Sequence, residues 1–423
     1  MSEYIPRLLD PVLKDYMTYV PAFVIDGIKA AGKTSSAERL AEKTYKLDKA
    51  STRELLSASP TTFLEYKGSI LLDEWQRMPE IWDDVRRAVD EDNRPGRFIL
   101  TGSATPKGAA IHSGAGRITR IRMRPLSLAE RMPKEATISL DDILHTRTTK
   151  VEGSTSTGLE TYLSEIIRSG FPGIRRLPDK GAIMFIDSYL ENLADKEFED
   201  QGYTVRKPRV LYNWLRAYAA ATGSTAPYQV ILDAATPDEK DKPAKKTTMA
   251  YREVLNNLWI TDRVEPWLPI NSQFKYLGMT AKHYLADPAL AARLLGVTME
   301  SFLDDNSISS LGPQQASIAG RLFESLIALS LQTYTQVIGA QLSHFRSSNG
   351  NHEVDFIVEK GGHVTAIEVK LGASPKSNQV DHLNWFKRTF DNYKVSKILI
   401  TTGDTAYTRQ DGTHVIPAAM LGA

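Results

Sequence analysis

Cysteine is absent from the 423-residue sequence, and this absence excludes disulfide bonds and thiolate metal sites from the chain. The sequence also has no uninterrupted apolar run of the length that a membrane-spanning helix needs. Its first residues lack the basic and then apolar layout of a signal peptide. These absences favour a soluble, cytoplasmic protein with no membrane partner.

An excess of either charge is also missing, because 52 Lys and Arg residues are balanced by 51 Asp and Glu residues and the net charge is +1. This balance gives no overall case for nucleic-acid binding, so only a local basic patch could argue for it. The hydrophobic fraction of 42% is enough to bury sizeable cores. The length corresponds to about two to four domains.

The stretch Gly27–Thr34, GIKAAGKT, fits the phosphate-loop pattern G-x-x-x-x-G-K-[ST] at every fixed position. The apolar run before it predicts a buried strand, and the residues after it predict a helix. In such a loop, backbone N–H groups surround phosphate oxygens, Lys33 reaches the β- and γ-phosphates, and the Thr34 hydroxyl binds Mg²⁺. The predicted ATP-binding residues are Gly27, Ile28, Lys29, Ala30, Ala31, Gly32, Lys33, Thr34 and Ser35.

A second apolar run, Ile70–Leu72, ends in Asp73 and Glu74. Carboxylates at the end of a strand behind a phosphate loop resemble a Walker B element, in which Asp73 holds Mg²⁺ and Glu74 polarises the attacking water. A third predicted strand ends near Ser103. We expect its hydroxyl to contact the γ-phosphate or the water, and an ordinary Ser/Thr turn is the alternative.

Arginines cluster in the segment that follows the third strand. Arg117 comes after a glycine-rich stretch, and an arginine there could act as a finger on the γ-phosphate of a neighbouring subunit. A solvated surface arginine is the alternative for this position. Arg120, Arg122 and Arg124 alternate with apolar residues, which predicts a shared strand face that is basic and solvated.

The order of these segments resembles a group of bacterial and archaeal AAA-type ATP-binding proteins, in which the ATPase module precedes a C-terminal domain of unknown function. The resemblance is carried by the phosphate loop and by LLDEWQRMPEIWDDVRRAVD, GRFILTGSA and GRITRIRMRPLSLAE. It is strongest over residues 20–130 and 318–372. It implies an ASCE-type parallel-sheet core, the use of ATP with Mg²⁺, and assembly into a homo-oligomer.

The middle of the chain predicts mainly helices. Residues 131–200 begin with a polar, turn-rich stretch and continue with helical patterns, which indicates a helical lid or connector. Residues 201–270 resemble a winged-helix domain, with helices that run into a short hairpin. Winged helices bind DNA or serve as docking modules, and the absence of a strongly basic face favours docking.

Acids and a lysine recur in the last part of the chain. Glu324 lies in a long helical pattern, and Asp355 lies on a predicted strand. Glu368 and Lys370 lie on the next strand, where residues two apart face the same side. The set resembles the PD-(D/E)xK nuclease core, which implies a Mg²⁺ site on Asp355 and Glu368. Glu324 would complete the metal shell, and Lys370 would orient or activate water.

The expected fold is therefore α/β, with a P-loop ATPase core at 1–130, a helical connector at 131–200, a winged-helix-like part at 201–270 and a nuclease-like α/β domain at 271–423. Two functions follow from it. In the first, ATP hydrolysis drives the binding or processing of branched or broken DNA. In the second, ATP gates assembly or a partner interaction, and the nuclease-like domain is an inactive binding surface. A surface ion pair on an ordinary hairpin is a third interpretation of the C-terminal acids.

Overall fold

The apolar runs of the first third form a five-stranded sheet in which all strands are parallel. The computed structural model describes residues 4–104, 114–235, 245–269, 279–302, 313–347, 349–373 and 377–423. The strands of this sheet are β1 (Ala22–Asp26), β2 (Lys43–Lys46), β3 (Ile70–Asp73), β4 (Phe98–Gly102) and β5 (Ile118–Arg122). Their order is β2-β3-β4-β1-β5, so β4 lies between the strand before the phosphate loop and the strand that ends in Asp73.

Helices cover both faces of this sheet, which is why every residue of its central strands β1, β3 and β4 is buried. The helices of this part are α1 (Asp10–Tyr19), α2 (Lys33–Ala37), α3 (Ala50–Ala58), α4 (Thr61–Leu64) and α5 (Ile81–Glu91). On one face, Trp82 of α5 packs against Trp75 with ring centroids 4.7 Å apart. The sequence-based prediction of a parallel α/β core is confirmed.

Short elements and helices fill the middle of the chain. They are α6 (Leu128–Arg131), β6 (Ile138–Ser139), α7 (Leu140–Leu144), β7 (Glu152–Ser154), α8 (Leu159–Arg168), α9 (Asp179–Asn192), α10 (Phe198–Asp200), α11 (Pro208–Ala220), α12 (Tyr228–Ala235), α13 (Lys245–Asn257) and α14 (Pro288–Leu294). Their apolar faces share one buried cluster that extends from Leu9 to Leu421. The nucleotide-side sheet and the C-terminal part are therefore joined by a common core.

The C-terminal part begins with a long helix and continues as a mixed sheet. Its elements are α15 (Pro313–Ile338), β8 (Gln341–Arg346), β9 (Glu353–Lys360), β10 (His363–Val369), α16 (Asp381–Thr389), β11 (Lys394–Thr401), β12 (Thr405–Thr408), β13 (Thr413–Pro417) and β14 (Leu421–Gly422). The sheet order is β7-β12-β13-β11-β10-β9-β8. Gly361 and Gly362, both with positive φ, form the two-residue turn between β9 and β10, as the sequence predicts.

Two strands of the connector pair with the end of the chain. β7 is antiparallel to β12 at the edge of the seven-stranded sheet, and β6 is parallel to β14. The connector is therefore part of the C-terminal layer as well as a link to the ATPase core. The division into four parts at residues 130, 200 and 270 stays a prediction.

The winged helix expected at 201–270 is not confirmed. The described residues of this range form three helices, followed by an extended segment that makes only isolated bridges, such as Val264 with Lys282 and Thr261 with Leu285. Within the described parts of the chain, no helix combines the length and apolar character that crossing a membrane requires.

Substitution of Gly27 by Ala should disrupt the junction between β1 and the phosphate loop. A Cβ atom at Gly27 would lie 2.1 Å from the carbonyl oxygen of Met123, and the φ of 149° disfavours any other residue. The steric overlap and the strain should lower the free energy of unfolding by on the order of 3 kcal/mol. Thermal unfolding of the purified variant measures this loss.

Gly320→Ala is the matched control for this test. Gly320 lies inside α15, and no atom lies within 4 Å of an added Cβ. Alanine favours the helix by about 1 kcal/mol relative to glycine, so this variant should melt at or above the wild-type temperature. Equal melting temperatures of the two variants would contradict the close contact at Gly27.

Candidate nucleotide site and acidic centre

The predicted phosphate loop lies between the carboxyl end of β1 and α2, which begins at Lys33. Three of its residues have positive φ angles: 149° at Gly27, 68° at Ala30 and 96° at Gly32. Left-handed residues at short intervals turn a backbone into the kind of concavity that binds anions. The loop therefore has the conformation of a phosphate cradle.

The ammonium of Lys33 is held inside this loop. Its Nζ donates hydrogen bonds to the carbonyl oxygens of Gly27 and Ile28, at 2.8 and 2.9 Å. Burial lowers the pKa of Lys33 to about 8, although Glu74 and Asp26 act in the opposite direction. An anion that enters the loop would stabilise this desolvated cation, so the site suits a phosphate group.

The carboxylate of Asp73 lies directly beside the loop. Its Oδ1 accepts hydrogen bonds from the hydroxyls of Thr34 and Thr101, each at 2.6 Å. Carboxylate and hydroxyl oxygens are the ligands that Mg²⁺ prefers. Thr34 and Asp73, which the sequence analysis assigned to the metal, are therefore brought together by α2 and β3, and the donor set fits the ion.

Glu74 lies next to Asp73 with a left-handed backbone, φ 59°. Its Oε2 accepts hydrogen bonds from the Ser103 hydroxyl, at 3.1 Å, and from the side-chain amide of Gln76. The same amide donates to Ser103 Oγ at 3.0 Å. Ser103 and Gln76 thus orient the Glu74 carboxylate. The sequence analysis did not identify Gln76. Its position two residues after Glu74 is the feature of the sequence that could have indicated a role beside the acid pair.

A cleft of 820 Å³ opens beside the loop, a size typical of small-molecule sites. The phosphate loop and Glu74 form one side of it. Sequence reasoning missed the other side, which includes Tyr4, Arg39, Pro172, Arg176 and Phe185. These residues come from the N-terminal segment, the turn that follows α2, the stretch Gly170–Arg176 and α9, so only the folded chain assembles them.

Arg7 ties the N-terminal segment to the loop. Its guanidinium donates to Glu130 Oε1 at 2.9 Å, to the carbonyl of Ala31 at 2.8 Å and to the carbonyl of Arg124 at 2.7 Å. The side chain is buried. One cation therefore fixes the loop against the segment that follows β5, and the sequence contains no pattern that predicts it.

Arg117 lies at the amino-terminal end of the parallel strands, whereas the loop lies at their carboxyl-terminal end. It precedes β5, whose first residue pairs with Ala22 at the start of β1, whereas the loop follows the end of β1. The distance along the strand is about 16 Å. Arg117 is 43% exposed and pairs with Asp90 at 2.7 Å. In this arrangement it lies too far from its own loop to contact a phosphate bound there.

The basic, solvated strand face expected for the other arginines is wrong for Arg122 and Arg124, whereas Arg120 is 44% exposed. Arg120 pairs with Asp26 at 2.9 Å. Arg122 and Arg124 both pair with Asp262, at 2.8 and 2.7 Å, and their side chains are only 20% and 13% exposed. An acid far along the chain neutralises this face, and alternation in the sequence cannot reveal such a partner.

The four residues of the predicted nuclease-like set lie together. Glu368 and Lys370 are 2.8 Å apart, Lys370 lies 3.8 Å from Asp355 Oδ2, and the N–H of Val369 donates to the same oxygen at 2.9 Å. Glu324 of α15 is linked to them by Lys282, which contacts both Glu324 and Asp355. Burial, followed by the charge of Asp355, raises the pKa of Glu368 well above its usual value.

Sequence reasoning missed Lys282 and Tyr284 in this centre. Lys282 Nζ lies 3.1 Å from Glu324 and 3.1 Å from Asp355, and the Tyr284 hydroxyl donates to Glu324 at 2.6 Å. Burial opposes the charge of Asp355, but Lys282 and Lys370 outweigh it and lower the pKa of this carboxyl to about 2. In the parts of the chain that the structure describes, no group of three or more acid or histidine side chains could hold a metal ion.

The sheet order, the phosphate loop after β1 and the acid pair at the end of β3 are the features of a P-loop nucleotide-binding module. Residues 20–132 match a family described as an AAA domain. Residues 159–301 and 319–421 match two domains of unknown function, DUF8612 and DUF4143. The C-terminal match names no activity, so a nuclease core is not confirmed.

Two curated proteins, both described as uncharacterized, are similar to most of the chain. They come from Mycobacterium bovis and Mycobacterium tuberculosis, and each is 23% identical over 364 residues, which covers 84% of this chain and 71% of theirs. A solved structure of the Aeropyrum pernix ORC2 protein in ADPNP–ADP complexes is 13% identical with a TM-score of 0.30. It covers 78% of this chain and 98% of its own.

The Asp26 carboxyl beside the loop should make stability depend on pH. Burial raises its pKa from 3.8 to about 6, against the charges of Arg120 and Lys33. A carboxyl with a raised pKa binds more protons in the folded state, so its contribution to stability falls as the pH rises from about 4 to about 6. Asp26→Asn removes this titration.

Relative to the wild type, the free energy of unfolding of Asp26→Asn should therefore rise by up to about 3 kcal/mol between about pH 4 and pH 7. Urea unfolding of both proteins across this range measures the difference. Stability curves that stay parallel at all pH values would contradict the raised pKa.

Proposed function

We propose that the protein is an ATPase that binds ATP with Mg²⁺ in the cleft beside the phosphate loop and hydrolyses it. The observation that carries this proposal is the 2.6 Å contact between the Thr34 hydroxyl and the Asp73 carboxylate, next to the buried ammonium of Lys33. Thr34 of α2 and Asp73 of β3 thus supply oxygen ligands for the metal, and Lys33 supplies the positive charge for the terminal phosphates.

In this proposal the backbone of Gly27–Ser35 binds the phosphates, and Thr34 and Asp73 hold the metal ion directly or through water. Mg²⁺, when bound, neutralises charge on the phosphate oxygens. The rings of Tyr4 and Phe185, which line the same cleft, offer apolar faces for the adenine. Of the loop residues, Ala30 and Gly32–Ser35 line the cleft directly.

Glu74 is the proposed general base. Ser103 and Gln76 both donate to its Oε2, which fixes the direction of the carboxylate. A carboxylate held in this way can accept a proton from the attacking water as the water oxygen bonds to the γ-phosphorus and the bond from that phosphorus to the bridging oxygen breaks, which releases ADP. Ser103 is thereby a positioning residue for Glu74 as well as a candidate contact to the γ-phosphate.

Arg117 supports assembly into an oligomer. Its guanidinium is partly exposed and lies away from its own loop, so it could stabilise the transition-state charge only at a neighbour's site. We propose that hydrolysis is completed between subunits of a homo-oligomer.

Lys33→Ala should abolish ATP binding, because the phosphates lose their buried cation, and Glu74→Gln should keep ATP binding but reduce kcat at least about 100-fold. Binding is measured with a fluorescent ATP analogue and Mg²⁺, and hydrolysis by phosphate release. Normal turnover by Glu74→Gln would show that another group is the base.

Lys14→Ala and Glu80→Gln are the matched controls. Lys14 is an exposed residue of α1, and Glu80 is an exposed residue at the start of α5. Each control makes the same chemical change within the ATPase core but outside the loop and the acid pair. Both should bind and hydrolyse ATP as the wild type does.

The output of the ATPase is proposed to be a change in the C-terminal part. Asp262 binds Arg122 and Arg124 next to β5, and Arg124 also donates to Gln332 and Gln336 of α15. α15 carries Glu324 of the acidic centre. A shift of β5 on nucleotide binding would therefore reach α15 through charged side chains.

The sequence analysis left two possible outputs of the ATPase, and one contact favours the second of them. The convergence of Glu324, Asp355, Glu368 and Lys370 supports coupling to DNA processing. The ammonium of Lys282 between two of these acids favours an ATP-gated switch, in which the nuclease-like domain binds a partner or DNA without cutting.

A nicking assay separates the two outputs. We expect no cleavage of supercoiled or branched DNA by the wild type with Mg²⁺ or Mn²⁺, with or without ATP, and sizing should show ATP-dependent assembly. Nicking by the wild type that is lost in Glu368→Ala, while ATP hydrolysis is kept, would establish the nuclease instead.

A further inference from the structure

One buried lysine joins the acids of the C-terminal part. Lys282 Nζ lies 3.1 Å from Glu324 Oε1, 3.1 Å from Asp355 Oδ1 and 3.3 Å from Glu353 Oε1, and its side chain is only 1% exposed. The ammonium contacts carboxylates from a helix and from a strand at once. It therefore occupies the space in which these side chains converge.

Three carboxylate oxygens of the centre already have partners. Asp355 Oδ1 contacts Lys282, and Asp355 Oδ2 accepts the N–H of Val369 at 2.9 Å. Glu324 Oε1 accepts the Tyr284 hydroxyl at 2.6 Å in addition to Lys282. A divalent cation needs several such oxygens turned toward it, so it could enter only after Lys282 had left.

We infer that Lys282 is the resident cation of the acidic centre and keeps divalent metal ions out of it. Its ammonium supplies positive charge to the same acids that a PD-(D/E)xK nuclease would use for Mg²⁺. Lys370 balances Glu368 at 2.8 Å in the same way. The residues of this centre that were expected to bind metal therefore form an ion-pair network.

Backbone contacts hold Lys282 in place. Its N–H donates to the carbonyl of Val264 at 2.9 Å, and its own carbonyl accepts the Val264 N–H at 3.1 Å. The neighbouring Tyr284 ring stacks on the Phe356 ring, with centroids 6.2 Å apart. The Lys282 ammonium lies 5.7 Å from the centre of the Phe356 ring. Both the backbone and the side chain of Lys282 are therefore fixed by contacts inside the protein.

Replacing Lys282 by Met keeps the length of the side chain and removes its charge. The variant leaves Glu324 and Asp355 buried without the cation between them, so its melting temperature should fall in EDTA and recover when Mn²⁺ is added. Mn²⁺ titration followed by EPR should find one more bound ion per chain than in the protein that retains Lys282. All proteins are measured without nucleotide and keep Asp73, so an ion at the phosphate loop is common to all of them and cancels in the comparison.

Lys397→Met is the matched control. Lys397 is also buried, at 2% exposure, but it contacts Asn384 and Asp411. This variant should lose stability without recovery by Mn²⁺ and without an added Mn²⁺ site. Adding Asp355→Asn to Lys282→Met should abolish the new site.

Two results would overturn the inference. The first is a Mn²⁺ ion that binds while Lys282 is present and is lost on Asp355→Asn; this measurement decides the matter even where Lys282→Met does not fold. The second is a folded Lys282→Met protein that binds no additional Mn²⁺.

Discussion

The carboxylate of Asp73 holds the nucleotide module together at one point. It ends β3, and it accepts hydrogen bonds from Thr34 behind the phosphate loop and from Thr101 on β4. Three elements are thereby fixed to one another before a ligand enters, which reduces the ordering that binding requires. The backbone of Glu74 turns at the same place, so the oxygen ligands and the proposed base depend on a single strand end.

Asp262 has the corresponding role between the two halves of the chain. It lies on the segment that carries Val264, the backbone partner of Lys282, and it binds Arg122 and Arg124 beside β5. Burial opposes its charge, but the two arginines outweigh it and lower the pKa of its carboxyl. Removing one member of a buried charge network leaves the others unpaired, so the ATPase sheet and the acidic centre are physically linked.

The features that the sequence predicted are those encoded by local spacing. The loop Gly27–Thr34 has a fixed pattern, and Glu368 and Lys370 share a face because residues on a strand alternate. Tertiary partners carry no such signal. Asp262 lies 138 positions from Arg124, and Lys282 reaches the acids through a segment with no motif of its own. For that reason a basic strand face was expected where the chain buries an ion-pair network, and the cation of the acidic centre was missed.

The pairing of the connector with the far end of the chain has a consequence for biosynthesis. Ser139 Oγ donates to the carbonyl oxygen of Ala423, 284 positions away, and β7 pairs with β12 at the edge of the seven-stranded sheet. During translation the early strands emerge long before their partners, and contacts of such long separation close slowly. The pairings of β6 with β14 and of β7 with β12 can therefore form only after β12 and β14 have left the ribosome, and a nascent chain that stalls earlier exposes unpaired strand edges that attract other chains.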